Sequence, residues 1–488
     1  MLYELSMPER RKEKRIIIVG GGTAGYITAL ILKQKFQEKI DIKVIRSKNI
    51  GIIGVGEGST EQWADFLTFV EIKPSVVIKE CGATFKFGIM FEGWGEKKYL
   101  HSINKDLDVI EGQEHISYLN FILNNKKFDH EFIYENKFPD GFFPTQFHFD
   151  THKLNIFLEK ICGERDIKII DDIIEHVEVS LKGIDYIESK NKKYEADFFI
   201  DCTGFKRLLV SKLGAKWKSY KKYLKVNSAI TFQTPEEENY NSWTLAKAMK
   251  FGWRFKIPVQ GRCGNGYIFS DKYTTPEKAK MEVEKELGHK INIGKHIKFD
   301  PGRLDRMWIK NCVAIGLSAN FVEPLEATSI GTSIQQAYLL MHNLTSSRAS
   351  VREQYNNQVE SIMNNIRDFI YLHYFKWHKH NWFWKNFDHG NAPPSLKKML
   401  SIWDKRLPIN DDIKGSDYKL FRATNFIQVL DGINFYRCNR YLPKQYDFLS
   451  RRSKDKVKNC LDKNLKQYTN LKYKTHKEVI KNINESTR

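Results

Sequence analysis

A chain of 488 residues, 41% of them hydrophobic and 28% charged, is long enough to bury a sizeable core together with a cofactor, and it carries no repeat or low-complexity tract. Lys and Arg total 79 against 59 Asp and Glu, a formal charge of +20, yet the basic residues are dispersed without interleaved aromatics, which argues against nucleic-acid recognition as the main role. The seven cysteines are widely spaced and form no CxxC, which excludes a disulfide framework and a zinc site of the usual spacing and fits a reducing, cytoplasmic setting.

Near the start, the basic run Arg10 to Arg15 precedes an uncharged stretch from Ile16 to Leu32. Glycines interrupt that stretch and it falls short of the roughly 20 apolar residues of a membrane span, so neither a signal peptide nor a span is expected. Instead Ile16-Ile17-Ile18-Val19 predicts a buried strand, and Ala24 to Gln37 a helix with Ala24, Ile27, Ile31 and Leu32 on one side. A second strand follows at Ile42 to Ile45. Such a strand–turn–helix–strand unit opens a doubly wound α/β domain.

The turn reads Gly20-Gly21-Gly22-Thr23-Ala24-Gly25, a GxGxxG pattern. Gly20 permits the tight turn, Gly22 lets the backbone approach a pyrophosphate, and Gly25 lets helix and strand pack closely, so a dinucleotide is expected. The residue closing the second strand, usually an acid for the ribose hydroxyls, is Arg46. Arginine there can hydrogen-bond a ribose or pair with a 2′-phosphate, and the loop by itself leaves both open.

Residues from about 58 to 150 are rich in Phe and Trp and less regular, and are expected to form segments inserted on the substrate side. Further strands are predicted at Ala196 to Asp201, before Thr203-Gly204, and at Asn311 to Ile315, before Gly316. Phe321 to Ser329 then places Glu323, Pro324 and Glu326 on an irregular turn before a helix whose apolar register runs Ile330, Ile334, Ala337, Met341, Leu344. A helix N-terminus is a natural anion site, so an acid beside it suggests chemistry that uses both an anion and a base. A boundary near 345 separates a 14–345 module from a Lys-rich, mainly helical region over 346–488.

Added to the N-terminal loop, Gly54-Val55-Gly56-Glu57-Gly58-Ser59-Thr60, Asp201-Cys202-Thr203-Gly204-Phe205 and Gly316-Leu317-Ser318-Ala319-Asn320 resemble, in this order, flavin-dependent halogenases of the tryptophan halogenase type. The resemblance extends over about residues 14–450. Gly252-Trp253-Arg254-Phe255-Lys256-Ile257-Pro258 looks like that family's WxWxIP box, with Phe255 in its second tryptophan position. Glu80-Cys81-Gly82-Ala83-Thr84-Phe85-Lys86 looks like the segment bearing the catalytic lysine, and Phe321 to Ser329 like that bearing the catalytic glutamate, at Lys86 and Glu326. Arg367 to Tyr374, followed by Phe383-Trp384, resembles a late helical signature of the family.

What the resemblance implies is a flavin monooxygenase-like FAD-binding fold: a doubly wound Rossmann-type sheet, an antiparallel sheet and a mainly helical C-terminal region. Reduced FAD, O2 and a halide (chloride, bromide or iodide) would yield hypohalous acid, which halogenates an electron-rich aromatic substrate through Lys86. The lysine would act as a hydrogen-bond donor or as a haloamine, and Glu326 as proton acceptor or as a group polarising the oxidant. FAD contacts are expected at Gly20, Gly22, Thr23, Ala24, Gly25, Arg46, Glu57, Gly204, Gly316, Ser329 and Ile330. The halide is expected at the N–H groups of Thr328 and Ser329, where Ser329 replaces a glycine, and the substrate side at His101, Trp253, Phe255, Pro324 and Phe426. No metal is called for.

Free-tryptophan halogenases carry a Tyr-Tyr pair where this chain has Phe426-Ile427, so a small indole or phenol is favoured over free tryptophan. The stretch Trp377, His378, His380, Trp382 and Trp384 fits a pocket wall or a helical core equally well. No segment resembles a nicotinamide-binding domain, which implies a separate NAD(P)H-dependent flavin reductase as partner; a homo-oligomer is compatible with the composition. Two other readings compete. One is an FAD-dependent aromatic monooxygenase or oxidase of the same fold, against which the Lys86–Glu326 pair argues, since direct hydroxylation needs no relay lysine. The other is a non-catalytic flavoprotein or nucleic-acid-binding module using the positive charge.

Overall fold

The computed structural model describes residues 13–51, 57–102, 114–127, 130–140, 142–346, 348–375, 382–413, 415, 418–468 and 471–486. The isoleucine-rich strand Lys14–Val19 lies inside a six-stranded sheet in the order Trp308–Ile309, Cys312–Ala314, Phe198–Asp201, Lys14–Val19, Ile40–Arg46, Lys168–Asp171. All neighbours are parallel except the Trp308–Ile309 edge. Both faces are covered, which is why the strand reads as a continuous apolar run. Ile16 and Ile18 pack into the main core, Ile17 and Val19 into a second cluster with Ile174, Phe199 and Leu209. This is the doubly wound sheet expected from the sequence.

A seven-stranded sheet stands beside it, in the order Lys295–Lys298, Ser228–Pro235, Arg262–Phe269, Gly252–Val259, Trp243–Met249, Gly88–Glu92, Tyr99–Ser102. It is antiparallel except where Trp243–Met249 meets Gly88–Glu92. The 58–150 region thus gives two consecutive strands to a sheet otherwise built from residues 228–298.

The helix Thr328–Asn343 packs against the glycine-loop helix Thr23–Phe36 and against the following 25-residue helix Ala349–His373, and the helix Ala423–Gly432 lies on the edge strand Tyr99–Ser102. The chain's end folds back as well: the helix His476–Ser486 packs on the helix Pro74–Glu80. All seven cysteines are free thiols. No described helix is long and apolar enough to cross a membrane.

Candidate functional site

The glycine loop is held as its pattern requires. Gly20 has φ +118°, and a Cβ there would lie 2.1 Å from the Cys202 carbonyl oxygen. A Cβ on Gly25 would meet the Gly20 oxygen at 2.0 Å, whereas one on Gly22 would point into open space. That space belongs to a cavity of about 1110 Å³ running from the loop to the Phe321–Ser329 turn. It exceeds the roughly 300–1,000 Å³ of ordinary small-molecule sites, as an extended dinucleotide needs. Gly20, Gly22, Thr23, Ala24, Arg46, Glu57, Gly204, Gly316, Ser329 and Ile330 all line it; Gly25 lies under the loop. Asn320 also faces it with a buried amide nitrogen that finds no acceptor among the described residues. Donor amides, a clear approach at Gly22 and this free amide fit FAD.

Trp253, Phe255 and Pro324 line the inner part of the same cavity. Phe255 rests on Gly266 of the adjacent strand, where a Cβ would come within 2.4 Å of the ring. Trp253 donates its indole N–H to Glu323 Oε2 at 2.7 Å, and the Tyr374 hydroxyl donates to the same oxygen. Burial pushes the Glu323 carboxyl up to about 7 in spite of these two donors. Trp94 packs between Trp253, Tyr374 and Trp384, so the cavity wall and the chain that follows the helix Ala349–His373 form one aromatic block beside the Phe321–Ser329 turn. Trp384 belongs to this core and Trp382 is exposed; Trp377, His378, His380 and the segment Gly54-Val55-Gly56 lie outside the described residues.

Lys86 is fully buried behind Gly58, a cavity-lining residue on which a Cβ would come 3.1 Å from the lysine nitrogen. Its Nζ donates to the Ser59 carbonyl at 2.6 Å. Burial lowers the ammonium to about 8, with Glu326 opposing. The strand just before the lysine, Thr84–Phe85, is pinned on both sides. The Thr84 hydroxyl donates to the Pro258 carbonyl of the aromatic box at 2.7 Å, and the Phe85 N–H donates to His476 Nε2 at 2.8 Å. His476 is buried, its Nδ1 faces the Tyr240 carbonyl, and burial lowers its pKa to about 3.

Truncating that tail contact has a measurable cost. His476→Ala leaves the Phe85 N–H without its acceptor and is expected to destabilise by about 1–3 kcal/mol in denaturant titrations. In the parent the folded state refuses the proton that an unfolded histidine takes below its ordinary 6.5, so stability falls as pH drops from there toward about 3. The variant is expected to show a shallower acid slope; an unchanged slope and midpoint would mean that His476 does not hold the strand.

Glu326 and Ala327 both have left-handed backbones, φ 68° and 52°, a rare arrangement for non-glycine residues. The chain therefore turns sharply before the helix Thr328–Asn343, whose first residues, Thr328 and Ser329, line the cavity. The Glu326 carboxylate is fully buried between two histidines, with Oε2 2.8 Å from His101 Nδ1 and Oε1 3.0 Å from His373 Nε2. Burial would raise its pKa, but the two rings outweigh that and hold it at about 2.

The tautomers follow from the partners. Asn425 Oδ1 accepts the Arg422 N–H at 2.8 Å, which leaves its Nδ2 to donate to His101 Nε2 at 3.2 Å; His101 then carries its proton on Nδ1, toward Glu326. His373 Nδ1 faces the Phe369 carbonyl at 2.9 Å, so both of its nitrogens face acceptors. Burial disfavours the charged ring and lowers its pKa. A neutral His373 donates from one nitrogen only, so of the two acceptors that face it, Glu326 and the Phe369 carbonyl, one meets a lone pair.

Phe426 is fully buried, packed against Phe369 and Trp403. The residues that sequence reasoning did not single out for the site are His373, Asn425 and His476, and Glu323 was noted on the turn without a partner. His373 lies within the late helical signature, but no local spacing connects it to Glu326.

The family described as tryptophan halogenase matches residues 15–452 of this chain. The 7-chloro-L-tryptophan 6-halogenase KtzR of Kutzneria sp. (strain 744) is 30% identical over 447 residues, 82% of this chain and 86% of the relative. The tryptophan 6-halogenase SttH of Streptomyces toxytricini is 29% identical over 451 residues, 83% and 86% of the two chains. The crystal structure of a tryptophan halogenase from Shewanella frigidimarina NCIMB 400 superposes with a TM-score of 0.88 at 25% identity, covering 98% of each chain.

Proposed function

The chain belongs to the tryptophan halogenase family of flavin-dependent enzymes, and from that premise we propose that it halogenates an electron-rich aromatic ring, of indole type before phenol, through Lys86 and Glu326. The observation that carries this reading is the buried pair itself: a lysine and a carboxylate, both out of water, beside the inner end of a dinucleotide-sized cavity. Burial of two opposite charges costs several kcal/mol apiece, a cost that structure alone does not require and reactive chemistry does.

When bound, reduced FAD from a separate NAD(P)H-dependent reductase would supply two of the four electrons that O2 takes up and the halide the other two, so that one oxygen atom leaves as water and the other is joined to the oxidised halogen as hypohalous acid. The first amides of the Thr328–Asn343 helix hold the halide, as unpaired N–H groups at a helix N-terminus do. Ser329 brings a side chain to this point that a glycine would not. Trp253 and Phe255 wall the cavity and keep the ring to be halogenated away from it. Lys86 then either donates a hydrogen bond to the hypohalous oxygen or attacks the halogen as an amine, forming N–X and releasing water. From the hydrogen-bonded acid, the ring takes the halogen while the hypohalous oxygen takes a proton from Lys86 and leaves as water; from N–X, the ring takes the halogen while the nitrogen takes up a proton, and in both cases the ring's displaced proton goes to Glu326.

The relatives named for acting on tryptophan support an indole. Phe426 and Ile427, buried and without hydroxyls, offer no anchor for an amino-acid head group, which supports an indole lacking it. The test is a panel of indoles, phenols and tryptophan incubated with reduced FAD, O2 and bromide, read by mass spectrometry. Brominated indole is expected; only hydroxylated products across the panel would overturn the reading in favour of a monooxygenase.

A further inference from the structure

The end of the second strand holds an arrangement that the glycine loop leaves unexplained. Arg46 stands where an acid normally receives the ribose hydroxyls. Its guanidinium is turned toward protein carboxylates: Nη2 donates to Glu159 Oε1 at 2.7 Å, and Nη1 lies 3.1 Å from Asp171 Oδ1. Glu159 comes from the helix Thr151–Glu164, which packs against the glycine-loop helix. Its other oxygen accepts the Tyr26 hydroxyl at 2.6 Å. Partial burial opposes its charge, but Arg46 and Tyr26 prevail and hold it below the usual carboxylate range. An ionised carboxylate offers about four acceptor sites, and these two donors use half of them.

Glu159 and Arg46 line the same cavity as the glycine loop. Around them, Ile50, Ile156 and Ile173, from three separate segments, also line it while remaining 52%, 69% and 41% exposed. Three exposed isoleucines converging on one mouth form an apolar collar beside a fixed acid, the mark of a site for a flat ring carrying a polar sugar.

We propose that Glu159 has taken over the part of the strand-end acid: it accepts hydrogen bonds from the adenosine ribose hydroxyls of FAD, Arg46 positions it, and Ile50, Ile156 and Ile173 enclose the adenine. The acid has moved from the strand to a neighbouring helix, and Arg46 fills the vacated place as its counter-ion. The same geometry disfavours a 2′-phosphate, because two carboxylates already neutralise Arg46 and a phosphate would meet Glu159.

The assignment rests on the flavin reading above, and binding alone tests it, without turnover. FAD, FAD lacking the adenosine 2′-hydroxyl, and FMN are titrated into the parent and into Glu159→Gln, followed by flavin fluorescence. The parent is expected to favour FAD over the deoxy analogue by about tenfold or more, the scale on which an acceptor covered by the bound cofactor and left unpaired is felt. Glu159→Gln is expected to weaken FAD to the level of the deoxy analogue and to leave FMN unchanged. A parent that binds FAD and the deoxy analogue equally would overturn the assignment, and this comparison needs no variant to fold. A Glu159→Gln protein that keeps the parent's discrimination would overturn it too. A parent that binds no flavin of any kind would instead refute the flavin reading on which the assignment stands.

Discussion

Lys86→Met is expected to abolish aromatic halogenation, by more than about 10³-fold or 4 kcal/mol in the barrier, while flavin reoxidation and peroxide release continue at the parent rate. The reason is the division of the site. The lysine nitrogen lies behind Gly58, outside the cavity lining, so on the proposed mechanism its loss removes the group that meets the oxidant without touching the place where the oxidant forms. Methionine is similar in length and fills the volume. The Ser59 carbonyl loses a donor, worth about 1–3 kcal/mol, but the cost of burying an ammonium disappears as well, so the melting temperature is expected to hold. Single-turnover assays that follow halogenated product and peroxide together decide the matter, and a variant halogenating at the parent rate would sink the relay role.

The parent's pH profile separates the two chemistries of the lysine. With its pKa lowered to about 8, an amine nucleophile requires the neutral form, and the rate of halogen transfer rises through pH 8 to a plateau. A hydrogen-bonding ammonium requires the charged form, and the rate falls above the same point.

Glu326→Gln is expected to fold at least as well as the parent yet lose about 10²–10³ in halogenation, within the range general-base groups contribute. The glutamine amide satisfies both neighbours without an extra proton. Its oxygen accepts from His101 Nδ1–H, its NH2 donates to His373 Nε2, and His373 Nδ1–H keeps the Phe369 carbonyl. The substitution therefore removes a buried charge at no loss of hydrogen bonds, while on the proposed mechanism it deprives the reaction of its proton acceptor. A large fall in melting temperature would show that the proton accounting around His373 is wrong; full activity would show that Glu326 is not the base.

Much of the framework was legible because it is written locally. The Ile16–Val19 run, the glycine spacing and the apolar register after Thr328 each specify an element within a few residues. Lys86 was picked out only through resemblance, since it sits in no spacing that chemistry alone would single out, whereas the turn carrying Glu326 stood out by its acids beside a helix N-terminus and only the choice of Glu326 came from resemblance. What stayed hidden is what tertiary folding assembles. Glu326 meets His373 across 47 positions, His101 meets Asn425 across 324, and Phe85 meets His476 across 391. The 58–150 region looked irregular for a related reason. Its strands Glu57–Gly58 and Thr84–Phe85 are two residues long and exist only because Phe147–Phe149 pairs with both. Arg46 gave a visible warning of a missing acid, but nothing in the sequence pointed to a helix more than a hundred residues away.

The two left-handed residues at 326 and 327 have a further consequence, concerning what the site can vary. Left-handed backbone costs an ordinary residue about 1–2 kcal/mol, so this reversal is a stiff joint rather than a loop with slack. One side chain before it and two amides after it have their directions set by the same few torsions. Adding or removing one residue here would swing the following helix by about 100°, a whole side of its circumference. The aromatic walls and the later helices can be remodelled piece by piece to suit another substrate, but on the proposed mechanism the gauge between the place where the oxidant is made and the place where it is spent is fixed by the backbone itself.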